Sequence, residues 1–233
     1  MWRFALPLMM LTTVAQAQEK VFDFEGVDSI DVRNGVTVHV VPGDEVSVVA
    51  EAISGDVDQL IVRKFGPWLA INRSTRWFIF PYGRSDEIEV TVTLPSLRNI
   101  KAFDAATATA RGFDGETIRA EALQGGRVDV DDIDYQDVTL YATESGLLNV
   151  SGNCQTVIVE AIINAEIGAG ELACANAAAT TRSGGTVTAA ATKFASQDDD
   201  RGGTIRIDGS PEIVEFLPGM EPEEEEEAAA ADG

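Results

Sequence analysis

Ile118-Arg119-Ala120-Glu121-Ala122, Val138-Thr139-Leu140-Tyr141-Ala142 and Val157-Ile158-Val159-Glu160-Ala161 are three versions of one five-residue strand, set twenty and then nineteen residues apart. Their first, third and fifth positions are apolar, the alternation of a strand with one buried face. A second column begins with Val128 and Val130, continues at Leu148 and Val150, Ile167 and Ala169, Val187 and Ala189, and closes with Ile205 and Ile207, in steps of 20, 19, 20 and 18. A period near twenty residues, made of alternating strands with glycines between them, is the pattern of a solenoid in which each coil stacks its strands on the coil before. The stretch from Ile100 to Ile207 therefore predicts an all-β protein built on a short parallel β-solenoid, a β-helix-like stack of coils about 20 residues long.

Upstream of the repeat the pattern is also extended. Val21–Phe24, Ile30–Val32, Val36–Val40 and Val46–Val48 read as an N-terminal strand set, with Asn34-Gly35 and Pro42-Gly43-Asp44 supplying turns. Residues 55–62 fit either a short helical turn or a further strand. Ile88, Val90, Val92 and Leu94 alternate with polar neighbours up to Pro95, where a strand ends.

Composition narrows the compartment and the partners. Thirty-nine acids against 17 bases give a formal charge of −22, a surface that repels phosphate backbones and anionic lipid, so nucleic acid is excluded as a partner. Met1 to Ala17 carries one base at Arg3, an apolar run from Phe4 to Val14 and Ala15-Gln16-Ala17, the build of an export signal cleaved before Gln18. The run is too short for a membrane anchor, and no later segment is apolar enough to span a bilayer. Residues 18–218 are expected to form one domain. Residues 219–233, Glu-rich and of low complexity, are expected to be a disordered acidic tail.

The order of features resembles a known family. Phe24-x-Gly26-Val27-Asp28-x-Ile30, Trp77-Phe78 with Gly83-Arg84, Val90-x-Val92-Thr93-x-Pro95-x-Leu97 and the glycine-punctuated coil at Ile167-Gly168-Ala169-Gly170 are similar to exported bacterial proteins of the "putative auto-transporter adhesin, head GIN domain" family. The resemblance covers roughly Val21 to Phe216. It implies a β-solenoid-like fold, an envelope or extracellular location, and a role in surface interaction. It brings no catalytic residues. The chain departs from the commoner pattern around Asp198-Asp199-Asp200, where the apolar column fails.

Four groups of residues can carry chemistry. Cys154 and Cys174 are the only cysteines and lie one coil period apart, so stacked strands place them within disulfide reach in an oxidising compartment. A pair of buried thiols or a reactive cysteine is the alternative. His39, the sole histidine, alternates with Val38 and Val40 and so faces outward. It lacks the companions of a hydrolytic triad or a zinc site. Asp129, Asp131, Asp132 and Asp134 form one acidic run and Asp198–Asp200 another; both are expected in turns between coils, with calcium binding by the first as an alternative.

Residues 63–84 gather Arg63, Lys64, Arg73, Arg76 and Arg84 with Trp68, Trp77, Phe78, Phe80 and Tyr82. From this stretch Arg73, Arg76, Trp77, Phe78, Phe80, Tyr82 and Arg84 form the candidate binding surface, because aromatic faces stack on sugars or apolar patches and guanidinium groups take carboxylates. The same rings could instead cap the open end of the stack.

The expectation is a non-enzymatic, exported interaction module, periplasmic or at the cell surface. It would need no cofactor and would present the aromatic and basic loop to a glycan or to an envelope or surface protein. A calcium-assisted, polysaccharide-active β-helix enzyme is the alternative, since such enzymes line a groove with clustered acids.

Overall fold

The computed structural model describes residues 19–54, 57–74 and 87–215. The expected export signal and acidic tail lie outside this set. The strands among the described residues are β1 (Glu19–Asp23), β2 (Ser29–Arg33), β3 (Thr37–Pro42), β4 (Ser47–Ser54), β5 (Leu60–Phe65), β6 (Trp68–Arg73), β7 (Glu87–Leu94) and β8 (Asn99–Phe103). They continue with β9 (Thr107–Arg111), β10 (Asp114–Leu123), β11 (Arg127–Thr143), β12 (Leu147–Ile162), β13 (Glu166–Arg182), β14 (Thr186–Asp200), β15 (Thr204–Gly209) and β16 (Glu212–Ile213). The undecided residues 55–62 include a single 3-10 turn, Val57–Gln59, followed by the start of β5.

Both predicted columns are hydrogen-bonded ladders. Ile118, Val138, Val157 and Ala177 are partners through β10, β11, β12 and β13, all parallel. Val128, Leu148, Ile167, Val187 and Ile205 are partners through β11 to β15. The first column lines one long side of each coil, here side A, and the second lines the opposite long side, side B. The long strands β11, β12 and β13 contribute to both, because each turns a corner between them.

That corner creates a short third side. In β11 it holds Ile133 and Tyr135, in β12 Gly152 and Cys154, in β13 Leu172 and Cys174. Ile133, Tyr135, Leu172 and Cys174 are buried with the column residues in one continuous apolar core running from Val27 to Ala195. Each Val, Leu or Ile taken out of water there contributes roughly 1.5–3 kcal/mol.

The uneven steps of the repeat arise at this corner. Between Val130 and Ile133 the pairing of β11 with β12 slips, so that Asp131 and Asp132 pass the place where β12 has Ser151 alone. A second slip lies between Asn149 and Ser151 of β12, where Val150 alone faces Ala169 and Gly170 of β13. The β12 coil is thus one residue shorter than its neighbours.

The opposite end of each coil is a turn of two left-handed residues. Gln124-Gly125, Glu144-Ser145, Ile163-Asn164 and Ser183-Gly184 all have φ between 49° and 82°. Backbone bonds carry the ladder through these turns, for example Gly125 N–H to the Glu144 carbonyl and Asn164 N–H to the Ser183 carbonyl.

The first coils are β2 with β3 and β8 with β9, which pair in parallel. The described residues between 43 and 94 leave this path and build further layers at the N-terminal end. On side B, β7 joins β3 in parallel and β4 and β1 follow antiparallel. On side A, β6 joins β2 in parallel and β5 returns antiparallel as the outermost strand. At the other end, β14 continues side A through Asp198–Asp200, where Gln197 and Asp199 take the inward register of Ala179 and Thr181 and are exposed. The apolar column fails there as expected, although the strand itself persists.

Candidate functional site

The aromatic and basic stretch begins as the outermost hairpin of side A. Gly66, at φ +59°, followed by Pro67 makes the glycine-first tight connection between β5 and β6. The hairpin places Phe65 directly opposite Trp68. Leu69 and Ile71 are fully buried beneath it, while Phe65 is 61% exposed. Arg63 and Lys64 are exposed on the outer strand.

Arg73 closes β6 and is half-buried; its carbonyl accepts from Asn34 Nδ2 at 3.3 Å. Its guanidinium lies against the Asn34-Gly35 turn, 3.3 Å from where a β-carbon on Gly35 would stand. Arg76, Trp77, Phe78, Phe80, Tyr82 and Arg84 lie outside the described residues. Phe65 escaped the sequence reading, because a single phenylalanine before Gly-Pro looks like an ordinary strand end.

The first acidic run is spread around the corner of β11. Asp129 is on the outer surface of side B, bonded to Arg127 Nε and Nη2 at 2.6 and 2.9 Å and accepting from Asn149 Nδ2 at 2.8 Å. Asp131 accepts from Ser151 Oγ at 3.2 Å, and Asp132, at φ +58°, donates its backbone N–H to the same hydroxyl. Asp134 projects from the short side. The expectation that both runs occupy turns is not met: Asp129, Asp131, Asp132 and Asp134 lie within β11 and Asp198–Asp200 within β14, with Asp131 and Asp132 at the register slip where β11 bends. Among the described residues no three His, Cys, Asp or Glu side chains converge to hold a metal ion.

Several long-side charges pair within one strand. Arg33 with Asp31, Arg119 with Glu121, Arg127 with Asp129 and Arg206 with Asp208 are all neighbours two apart on one strand face. Burial works to raise the Glu121 pKa, but hydrogen bonds from Arg119 and Lys101 outweigh it and hold the carboxyl below its ordinary range. His39 projects from side B, where Nδ1 lies 2.8 Å from Thr109 Oγ1 on the next coil.

The short side differs. Its outward residues form two ladders, one of register partners Asp114, Asp134 and Asn153, the other of Glu116, Gln136 and Gln155, each two residues further along the same strands. Between them runs a shallow open trough of about 580 Å³, floored by Gly115, Tyr135 and Cys154. A narrower hollow of about 140 Å³ shares Asp114, Gly115 and Tyr135 with it and extends the trough toward Ser96 and Arg98. None of the six ladder side chains makes a hydrogen bond or ion pair with another group among the described residues.

The trough floor is fixed. Tyr135 donates its hydroxyl to the Leu97 carbonyl at 2.6 Å, and burial, assisted by the Asp114 charge, pushes its pKa up to about 12. Gly115 leaves room for that ring, since a β-carbon there would come within 2.8 Å of Tyr135 Cε1. Cys154 and Cys174 form the expected disulfide at the far end. The trough has a signal in the sequence that the apolar columns obscured: Asp114-Gly115-Glu116, Asp134-Tyr135-Gln136 and Asn153-Cys154-Gln155 repeat one polar, floor, polar triplet at the coil period.

The family described as "Putative auto-transporter adhesin, head GIN domain" matches residues 26–211. The fold is similar to the crystal structure of a "putative adhesin" from Bacteroides fragilis NCTC 9343, with a TM-score of 0.71 at 13% identity over 86% of this chain and 98% of that one. It is similar to a "putative lipid binding protein" from Parabacteroides distasonis ATCC 8503, with a TM-score of 0.59 at 14% identity over 86% and 97% of the two chains. A "putative adhesin" from Parabacteroides merdae ATCC 43184 gives 0.55 at 14% identity over 86% and 97%. At these identities the likeness is one of fold. No curated protein matches the sequence.

Proposed function

The chain belongs to the head GIN-domain family, and from that premise we propose that it is an exported, non-enzymatic, adhesin-like module. It acts at the bacterial envelope or surface and holds a glycan or a surface protein through the aromatic and basic residues at its N-terminal end. The observation that carries this reading is the outermost hairpin of side A, which sets exposed Phe65 beside Trp68 with Arg63 and Lys64 exposed on the same strand. In a chain of net charge −22 a local basic and aromatic surface has a use that acidic surroundings do not supply: rings stack on sugar faces, and guanidinium groups take carboxylates. The stack beneath it is stiff, so the hairpin is displayed at little ordering cost. The name adhesin borne by two of the solved structures with this fold supports the same reading.

The test is retention of the purified protein on a glycan array and on immobilised envelope proteins. Phe65→Ala with Trp77→Ala and Phe78→Ala is expected to abolish retention and leave the circular dichroism spectrum unchanged. Retention that survives loss of all three rings discards the reading. If the triple variant unfolds, the rings serve as a cap, and Arg63→Glu with Lys64→Glu, at exposed positions, decides the binding question instead. Cell fractionation checks the export expected from residues 1–17.

A further inference from the structure

We propose that the trough on the short side is a second binding site, one that takes a neutral glycan strand laid along the solenoid axis. The proposal rests on reading the chain as a binding module, but it assigns a different surface and a definite ligand class. Five observations lead to it.

The ladder side chains are unpaired among the described residues, whereas the carboxylates of Asp31, Glu121, Asp129 and Asp208 on the long sides are each matched with an arginine two residues away. The polar groups of the trough therefore have hydrogen-bonding capacity that the fold leaves unused. Their types are also informative. Gln136, Asn153 and Gln155 both donate and accept, and Asp114 and Asp134 accept, which is the mixture that sugar hydroxyls require. No base lines the wide part of the trough, so an anionic polysaccharide or a phosphate would be repelled.

Spacing favours a repeating ligand. Parallel coils set successive rungs about 4.8 Å apart, close to the advance per sugar in an extended glycan. Asp114, Asp134 and Asn153 would thus meet successive sugars, each flanked by its partner in the second ladder. The floor is held in place by the Tyr135 hydroxyl on the Leu97 carbonyl and by the disulfide, so little of the site has to be ordered on binding.

The experiment is calorimetric titration of the full chain with cellohexaose and chitohexaose as neutral probes, hexagalacturonate as an acidic one and hexalysine as a cationic one. One or both neutral hexaoses should bind. Binding should weaken about tenfold in Gln136→Ala/Gln155→Ala, two lost hydrogen-bonding side chains at exposed positions, and stay unchanged in Glu144→Gln, at an exposed turn position outside both surfaces. Absence of neutral binding overturns the proposal, as does binding that the glutamine pair does not affect. Binding of hexalysine alone also overturns it, since the trough would then be only a negative surface. Envelope retention lost in the hairpin variants but kept in the glutamine pair, with no hexaose bound, removes the trough site and leaves the proposed function standing. Hexaose binding lost in the glutamine pair, with retention untouched by the hairpin variants, does the reverse.

Discussion

Cys154 and Cys174 are register partners on adjacent coils, their Cα atoms 4.5 Å apart across β12 and β13 and their sulfurs joined. The bond closes a loop with a sequence separation of 20, so it restricts the unfolded chain by about 3 kcal/mol. Cys154→Ala/Cys174→Ala should therefore be less stable by about that amount and unfold at lower urea, with a steeper slope because the unlinked denatured chain exposes more surface. Equal midpoints for the double variant and the parent would show that the coils hold this register without the link.

That pairing was legible because the cysteines share the spacing of the apolar columns around them, and the same logic recovered both long sides. The short side was not legible for a physical reason. It has two inward positions per coil, and at Gly115 and Gly152 one of the two is a glycine, so no alternation accumulates. The slip at Asp131 and Asp132 also moves the next residues out of step. The N-terminal layers were hidden differently: local alternation identifies β4 and β7 as strands, but nothing in it states that β7 pairs with β3 and β4 antiparallel to β7. Of the candidate binding residues, only Arg73 falls within the described set.

Thr181 takes the place held by Ala122, Ala142 and Ala161 in the preceding coils. It is fully buried, and its Oγ1 has no hydrogen-bond partner among the described residues. A hydroxyl in that position costs desolvation with no return bond. Thr181→Val keeps the shape and removes the cost, and should raise stability by about 1 kcal/mol in chemical denaturation. A loss of stability would mean that the hydroxyl is bonded after all, to an internal water.

Ile163 is the one β-branched residue in the left-handed turns, at φ 52° and 45% exposed. Its counterparts in neighbouring coils are Gln124, Glu144 and Ser183, all unbranched at Cβ. Left-handed backbone costs an L residue roughly 1–2 kcal/mol, and asparagine tolerates it best among residues with a side chain. Ile163→Asn keeps the backbone bond from residue 163 to the Arg182 carbonyl. It should raise the melting temperature, with a gain of about 1 kcal/mol. A drop would indicate that the exposed isoleucine packs on its neighbours more than its exposure suggests.

Tyr135 predicts an alkaline signature. Its folded pKa is raised to about 12, while the unfolded chain titrates near 10, so the folded state holds the phenolic proton more tightly. A raised folded pKa gives stability that is fully present below pH 10 and is lost as the pH climbs from 10 toward 12. Tyr135→Phe has no proton to lose and should lack this part of the decline. At neutral pH the variant should be less stable by about 1 kcal/mol, because the Leu97 carbonyl loses its donor. Urea unfolding of both proteins at intervals from pH 7 to 12 should show the gap between them closing above pH 10. Parallel curves across that range would mean that the ring ionises as freely in the fold as outside it, and that the trough floor is more open to water than its burial indicates.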